Sequence, residues 1–234
     1  AVSAIVDSLK EMATPIQSEQ DIAHIATISA NNDKSIGTLV ATAVDRAGKD
    51  GSVLVEEARS LETSLDLIEG FRFDSGYAAS AFITNERSGA VEYENPMVLV
   101  TDEKLEHVDQ ILPVLELAAR ESRPLLIVSS DVEGQALAAL IMNSVRGTMK
   151  VAAVKAPRYG EERRRILKDL CLSIGATMIT RENSLTLKDV KLAHFGGCKK
   201  ISADKSWTTV VGGKGDYDAI DKQIDVLKVE IKNT

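Results

Sequence analysis

From residue 95 onward the chain alternates short apolar runs with helix-length segments, and this rhythm constrains the fold more than any other feature. NPMVLVTD reads as a strand, ILPVLELAARES as a helix, PLLIVSSD as a strand and EGQALAALIMNSVRG as a helix. KVAAVKA, EERRRILKDLCLSIG and ATMIT continue as strand, helix and strand. Strands separated by helices at this spacing predict right-handed crossovers and a mainly parallel sheet flanked by helices. CKKISADK and SWTTVVGG add two strands as a β-hairpin, and DAIDKQIDVLKVEI closes the pattern as a helix. The fold class is therefore α/β.

Upstream, the periodicity is helical. Val2, Ile5, Val6, Leu9 and Met12 share one helix face. Ser18 and Asp21 form a capping-box pattern opening DIAHIATISA, and Gly48 is placed to stop SIGTLVATAVDRA. Two extended runs follow, SVLVE and TSLDLIEG, before Gly70. The change of pattern predicts a boundary at 68–70, with a mostly helical domain over 1–68 and the α/β domain over 69–234.

Charge and composition exclude several functions. A net charge of −7 leaves no excess of Lys and Arg to neutralise phosphates, so nucleic acid is not an expected partner. No apolar run approaches the roughly 20 residues of a membrane span. AVSAIVDSLKEM is amphipathic and acidic where a signal peptide would be basic and then apolar, and it lacks an initiator Met, which suits a piece or a processed form. Cys171 and Cys198 stand without a CxxC or a disulfide framework, as in a reducing compartment. His24, His107 and His194 are scattered, so no metal site is expected.

Apolar residues are concentrated unusually. ALAALIM, residues 136–142, is seven consecutive apolar positions, and Ile111, Leu112, Val114, Leu115, Leu117, Ala118 and Ala119 crowd the preceding helix around Pro113 and Glu116. A helix apolar all round is either covered on two sides or exposes an apolar face that serves as an interaction site. Each large aliphatic left in water forgoes about 1.5–3 kcal/mol of burial, so exposure needs a use. GFRFDSGYAASAFITN, 70–85, adds Phe71, Phe73, Tyr77 and Phe82, four of only nine aromatics, to a glycine-containing, loop-like stretch.

Motifs suggestive of catalysis are weak. GGKGD, 212–216, lacks the spacing of a phosphate-binding loop and reads as a connection before a helix. Asp131 and Glu133 stand at a strand end, where α/β enzymes place catalytic groups, although Asp131 also suits an N-cap. Glu161 and Arg165 are spaced for an i, i+4 pair on a wet helix face.

TISANND, EGFRFDSGY, LPVLE, PLLIVSSDVEGQALAALIMN and RGTMKVAAVKAP together resemble group I chaperonins of the GroEL type, in order and over essentially the whole chain. The resemblance implies half of a hinge-bearing intermediate domain followed by nearly all of an apical domain. It implies no catalytic or cofactor-binding residue in this stretch, the family's nucleotide-binding domain being absent; the full-length protein would use ATP and Mg. Partners implied are non-native polypeptides and a co-chaperonin, with a homo-oligomeric ring for the full-length protein and a monomer for this piece. Polypeptide-binding positions carried over are Tyr77, Phe82, Leu112, Leu115, Leu137, Ile141 and Met142, and Gly70 is the hinge glycine. A cytoplasmic or organelle-matrix location follows, host cytoplasm included for a viral member. Departures are Ala81 for a tyrosine, Ser75 for an arginine, Met142 for a β-branched residue, and RYGEERR for GFGDRRK, which bear on ring contacts and co-chaperonin use. The rival readings are a small-molecule α/β enzyme using Asp131 and Glu133, and a module with one fixed partner.

Overall fold

The computed structural model describes residues 6, 8, 12–14, 16, 18–48, 53, 63–65, 70–183 and 185–233, with side chains to 231. The N-terminal amphipathic stretch and the runs SVLVE and TSLDLIEG lie largely outside these residues. The chain divides into two compact units, Ala1–Leu67 and Ile68–Thr234.

In the first unit, α1 (Glu19–Ser29) and α2 (Lys34–Ala47) pack on each other. The Ser18–Asp21 capping box is formed at the start of α1. Asn31 and Asn32 both adopt positive φ in the turn, a conformation asparagine tolerates better than most residues. Asp33 then caps α2, accepting from the Ser35 and Ile36 amides at 2.8 and 3.3 Å. Hydrogen bonds from the Ser35 hydroxyl and these amides hold its carboxyl below the usual range. Gly48 ends α2.

The second unit is built on one sheet with a parallel centre. β3 (Met97–Val100), β5 (Leu125–Ser129) and β7 (Val151–Lys155) run parallel, and the helices α3 (Val108–Glu121) and α4 (Gly134–Val145) connect them. Every residue of β3 and β5, and all of β7 except Lys155, is buried, because a parallel sheet is covered on both faces. Before α3 and α4, β4 (Lys104–Leu105) and β6 (Asp131–Val132) form a short parallel pair.

On the other side of β3 the sheet becomes antiparallel. β8 (Gly196–Ala203) and β9 (Thr208–Gly213) form the hairpin, and β1 (Phe71–Phe73) adds to β9. β2 (Val91–Glu94) and β3 pair with successive halves of β8. Between them Asn95 takes φ 49°, and the Arg123 guanidinium donates to its carbonyl oxygen at 3.0 and 3.1 Å. Two further helices complete the unit, α5 (Gly160–Ile174) and α6 (Tyr217–Asn233).

Three local expectations are corrected. ATMIT does not form a strand: Ile179 makes a single parallel bridge to Thr101, and the chain turns away immediately afterwards into the 3-10 turn Arg181–Asn183. Asp131 does not cap α4. It lies in β6, accepts from the Val132 amide and pairs with Lys155 at 2.8 Å, while Glu133 takes the N-cap position without a side-chain bond. Glu161 pairs with Arg164 one turn along rather than with Arg165, and Arg164 also reaches Glu182 and Asp102.

Candidate polypeptide-binding surface

α3 and α4 pack side by side, with their N-termini pinned together: the Glu133 amide donates to Leu105 O at 2.9 Å and the Ala136 amide to Glu106 O at 3.0 Å. Gln110 closes the entry to α3 by accepting from the Glu106 and His107 amides at 2.8 and 2.9 Å. Two parallel crossovers in one sheet put both helices in the same direction.

α3 is amphipathic in the ordinary way. Ile111, Val114, Leu115 and Ala118 are buried, while Val108, Asp109, Leu112, Glu116, Ala119 and Arg120 are exposed. α4 differs because its twelve residues include no charged side chain. Ala136 and Leu140 are buried, Leu137 and Ile141 are half-buried against the core, and the outward face carries Ala138, Met142 and Val145. Met142 is 50% exposed, Val145 69% and Leu112 48%.

Of the residues carried over from the family resemblance, Leu112 and Met142 are therefore well exposed, and Leu137, Ile141 and Tyr77 partly so. Tyr77 is held by its backbone, which bridges to Val154 and donates to Asp204 O at 3.1 Å. Phe82 and Leu115 fall elsewhere. Phe82 is completely buried in the 3-10 turn Ser80–Phe82, which packs on α4 and β7, and Leu115 is 8% exposed. Phe82 is thus not at the surface expected of a polypeptide-binding position: the turn folds the ring inward and leaves Ala81 outward. Val145 and Val108, absent from that residue set, extend the exposed apolar face. Their signal was spacing, three residues after Met142 and four before Leu112.

Two of the positions that depart from the family resemblance lie close together. Arg158, at φ 57°, pairs with Asp74 at 2.8 Å and with Glu162 at 3.7 Å, tying the loop after β7 to the segment that contains Ser75. Tyr159 beside it is 85% exposed, with Arg163 over its ring.

The strand ends hold ion pairs. Lys104 binds Glu106 at 2.7 Å and also Glu133, and these contacts raise its ammonium pKa. The Lys155 ammonium holds the Asp131 carboxyl below its ordinary range against the opposing effect of burial. Both carboxylates singled out for an enzyme reading are thus engaged by lysines. The GGKGD loop spends its amides on carbonyls, Lys214 N donating to Gly197 O and Gly215 N to Ser173 O, both at 3.0 Å. A Cβ on Gly215 would lie 1.9 Å from Leu172 O. Close packing on the end of α5 thus accounts for that glycine.

Among the described residues no group of three or more His, Cys, Asp or Glu side chains is placed to hold a metal ion. Among them, too, no helix is long and apolar enough to cross a membrane. No protein-family model matches the chain.

Proposed function

We propose that the second unit captures non-native polypeptide on the α3–α4 face, as the apical domain of a group I chaperonin does. The observation that carries this reading is α4: a helix with no charged residue that leaves Met142 and Val145 half or more exposed, beside Leu112 on α3. A helix serving only the core would carry charge on its outer face, as α5 does with Glu161, Glu162 and Arg165. The family resemblance of DVEGQALAALIMN and KVAAVKAP supports the same assignment.

Capture here is burial of apolar area, which has no direction, so it discriminates exposed hydrophobic segments from folded surfaces rather than one sequence from another. A single surface of this size binds weakly, and its strength in a ring would come from several copies engaging one chain. In the full-length protein, by the resemblance, ATP and Mg bound on another domain would drive the cycle and a co-chaperonin would compete for the same face.

The test is binding of one protein in denatured and native form to this chain and to a Leu112→Ser, Met142→Ser, Val145→Ser variant. These three side chains are exposed, so the variant keeps its core. Preferential binding of the denatured form, lost in the variant, supports the reading. Absence of binding to the chain both free and tethered in a ring overturns it.

A further inference from the structure

The second unit holds a cavity of about 640 Å³ between α6, the C-terminal half of α5 and the β1, β8 and β9 part of the sheet; no residue of α3 or α4 lines it. α6 turns Tyr217, Ile220, Ile224 and Leu227 toward it, a spacing that makes one helix stripe. No residue of that stripe is buried: Ile220 and Ile224 are half-buried, and Tyr217 and Leu227 are exposed. An amphipathic helix ordinarily closes such a stripe on its sheet, and close-packed interiors leave few voids larger than a water. A space of this size falls instead in the range that takes a small organic molecule, about 300–1,000 Å³.

Among the lining residues Asp169 is the acid and Lys199 the base. Asp169 is half-buried, and its carboxylate accepts from the Gln223 side-chain amide at 3.1 Å. Arg165 and Lys168 precede it on α5 and Lys222 adjoins Gln223, but all three are exposed and none forms an ion pair with Asp169. Burial raises the Asp169 pKa, the Gln223 bond opposes this, and Glu230 adds repulsion, with no lysine or arginine offsetting it. Lys199 lays its alkyl stem over Gly212, where a Cβ would meet the lysine Cδ at 2.7 Å. An apolar wall thus stands beside a half-buried carboxylate that lacks a cation.

We propose that this cavity binds a small amphiphilic cation, an aromatic or aliphatic body carrying a protonated amine. The body packs against Phe71, Leu172 and the α6 stripe, and the amine donates to the Asp169 carboxylate. That contact is a charge-assisted hydrogen bond, which is stronger than a neutral one. Polypeptide capture on the α3–α4 face plays no part in it.

Three dansyl probes of equal chain length, ending in an amine (dansylcadaverine), a hydroxyl or a carboxylate, test this by the rise in dansyl emission on titration with the 234-residue chain at neutral pH. The amine probe is expected to saturate and to bind about tenfold more tightly than the hydroxyl probe, as one hydrogen bond to a charged group allows. The carboxylate probe should be weakest. Asp169→Asn should abolish the amine's advantage while its tryptophan unfolding transition shows the chain still folded. The Leu112→Ser, Met142→Ser, Val145→Ser variant should bind the amine probe as the parent does. Equal affinity for the amine and hydroxyl probes overturns the inference, as does tighter binding of the carboxylate probe, which would place the anchor at Lys199. Absence of saturable binding, or its loss in the triple variant, overturns it as well; the latter would move the probe to the α3–α4 face and leave polypeptide capture standing.

Discussion

Removing the Phe82 ring opens a hole between the 3-10 turn, α4 and β7, whereas shortening Met142 removes atoms already half in water. Phe82→Ala is accordingly expected to cost about 3–5 kcal/mol in urea unfolding. Met142→Ser should stay within about 1 kcal/mol of the parent and show its effect in binding instead. The two thiols are a second contrast with the surface. Burial pushes Cys171 up to about 12 and Cys198 up to about 11, so neither is a thiolate at pH 8. Ellman's reagent should label the native chain slowly and the urea-unfolded chain at once; rapid native labelling would contradict their burial. Asp169 shows the opposite carboxylate behaviour from Asp131. Burial raises its pKa above 3.8, opposed by a hydrogen bond from Gln223 on α6 at 3.1 Å. A raised folded value means that its ionised form destabilises the fold at neutral pH, and that this penalty fades as pH falls through the raised value toward 3.8. Asp169→Asn should therefore raise the thermal midpoint at pH 7, with the gain over the parent closing near pH 4.

At the scale of elements, the parallel centre was readable because its signals were long and consistent. MVLV, LLIV and VAAV are unbroken apolar runs, each followed in the chain by a helix-length segment. β2 escaped notice, since VEYE mixes two glutamates with only two apolar residues and its burial is decided by the β8 partner. ATMIT misled in the other direction: its composition is that of a strand, yet only Ile179 reaches β3, and the Thr180 hydroxyl instead donates to Asp102 at 3.2 Å. The candidate surface divides likewise. The charge-free run of α4 is visible in sequence, and so is the helical phase that turns Met142 outward. The inward fold of Phe82 is not, because a 3-10 turn has no periodic signature over three residues. Gly215, packed on the end of α5, belongs to this scale as well. Gly215→Ala would drive a methyl into the Leu172 carbonyl oxygen, and the expected outcome is a lowered unfolding midpoint for the second unit by thermal denaturation.

Across the whole molecule, apolar burial is unequally divided. Among the described residues the connected core begins at Phe73, and the buried apolar side chains of the first unit are Ala41 and Ala43. The sole tryptophan, Trp207, sits in that unit with the Arg72 guanidinium 4.2 Å from its ring, so its emission reports on the β1–β9 edge. A chain reduced to Ile68–Thr234 should give the same tryptophan unfolding midpoint in urea as the full chain; a large drop would show that the first unit supports the second. Gly70 takes on a different meaning in this light. It adopts φ 132°, and a Cβ there would sit 2.1 Å from Val210 O, inside the backbone of β9. Its missing side chain makes room for a neighbouring strand, so residue 70 is clamped to the sheet. Even an alanine at this position would push the start of β1 away from β9, so glycine here is dictated by contact inside the second unit.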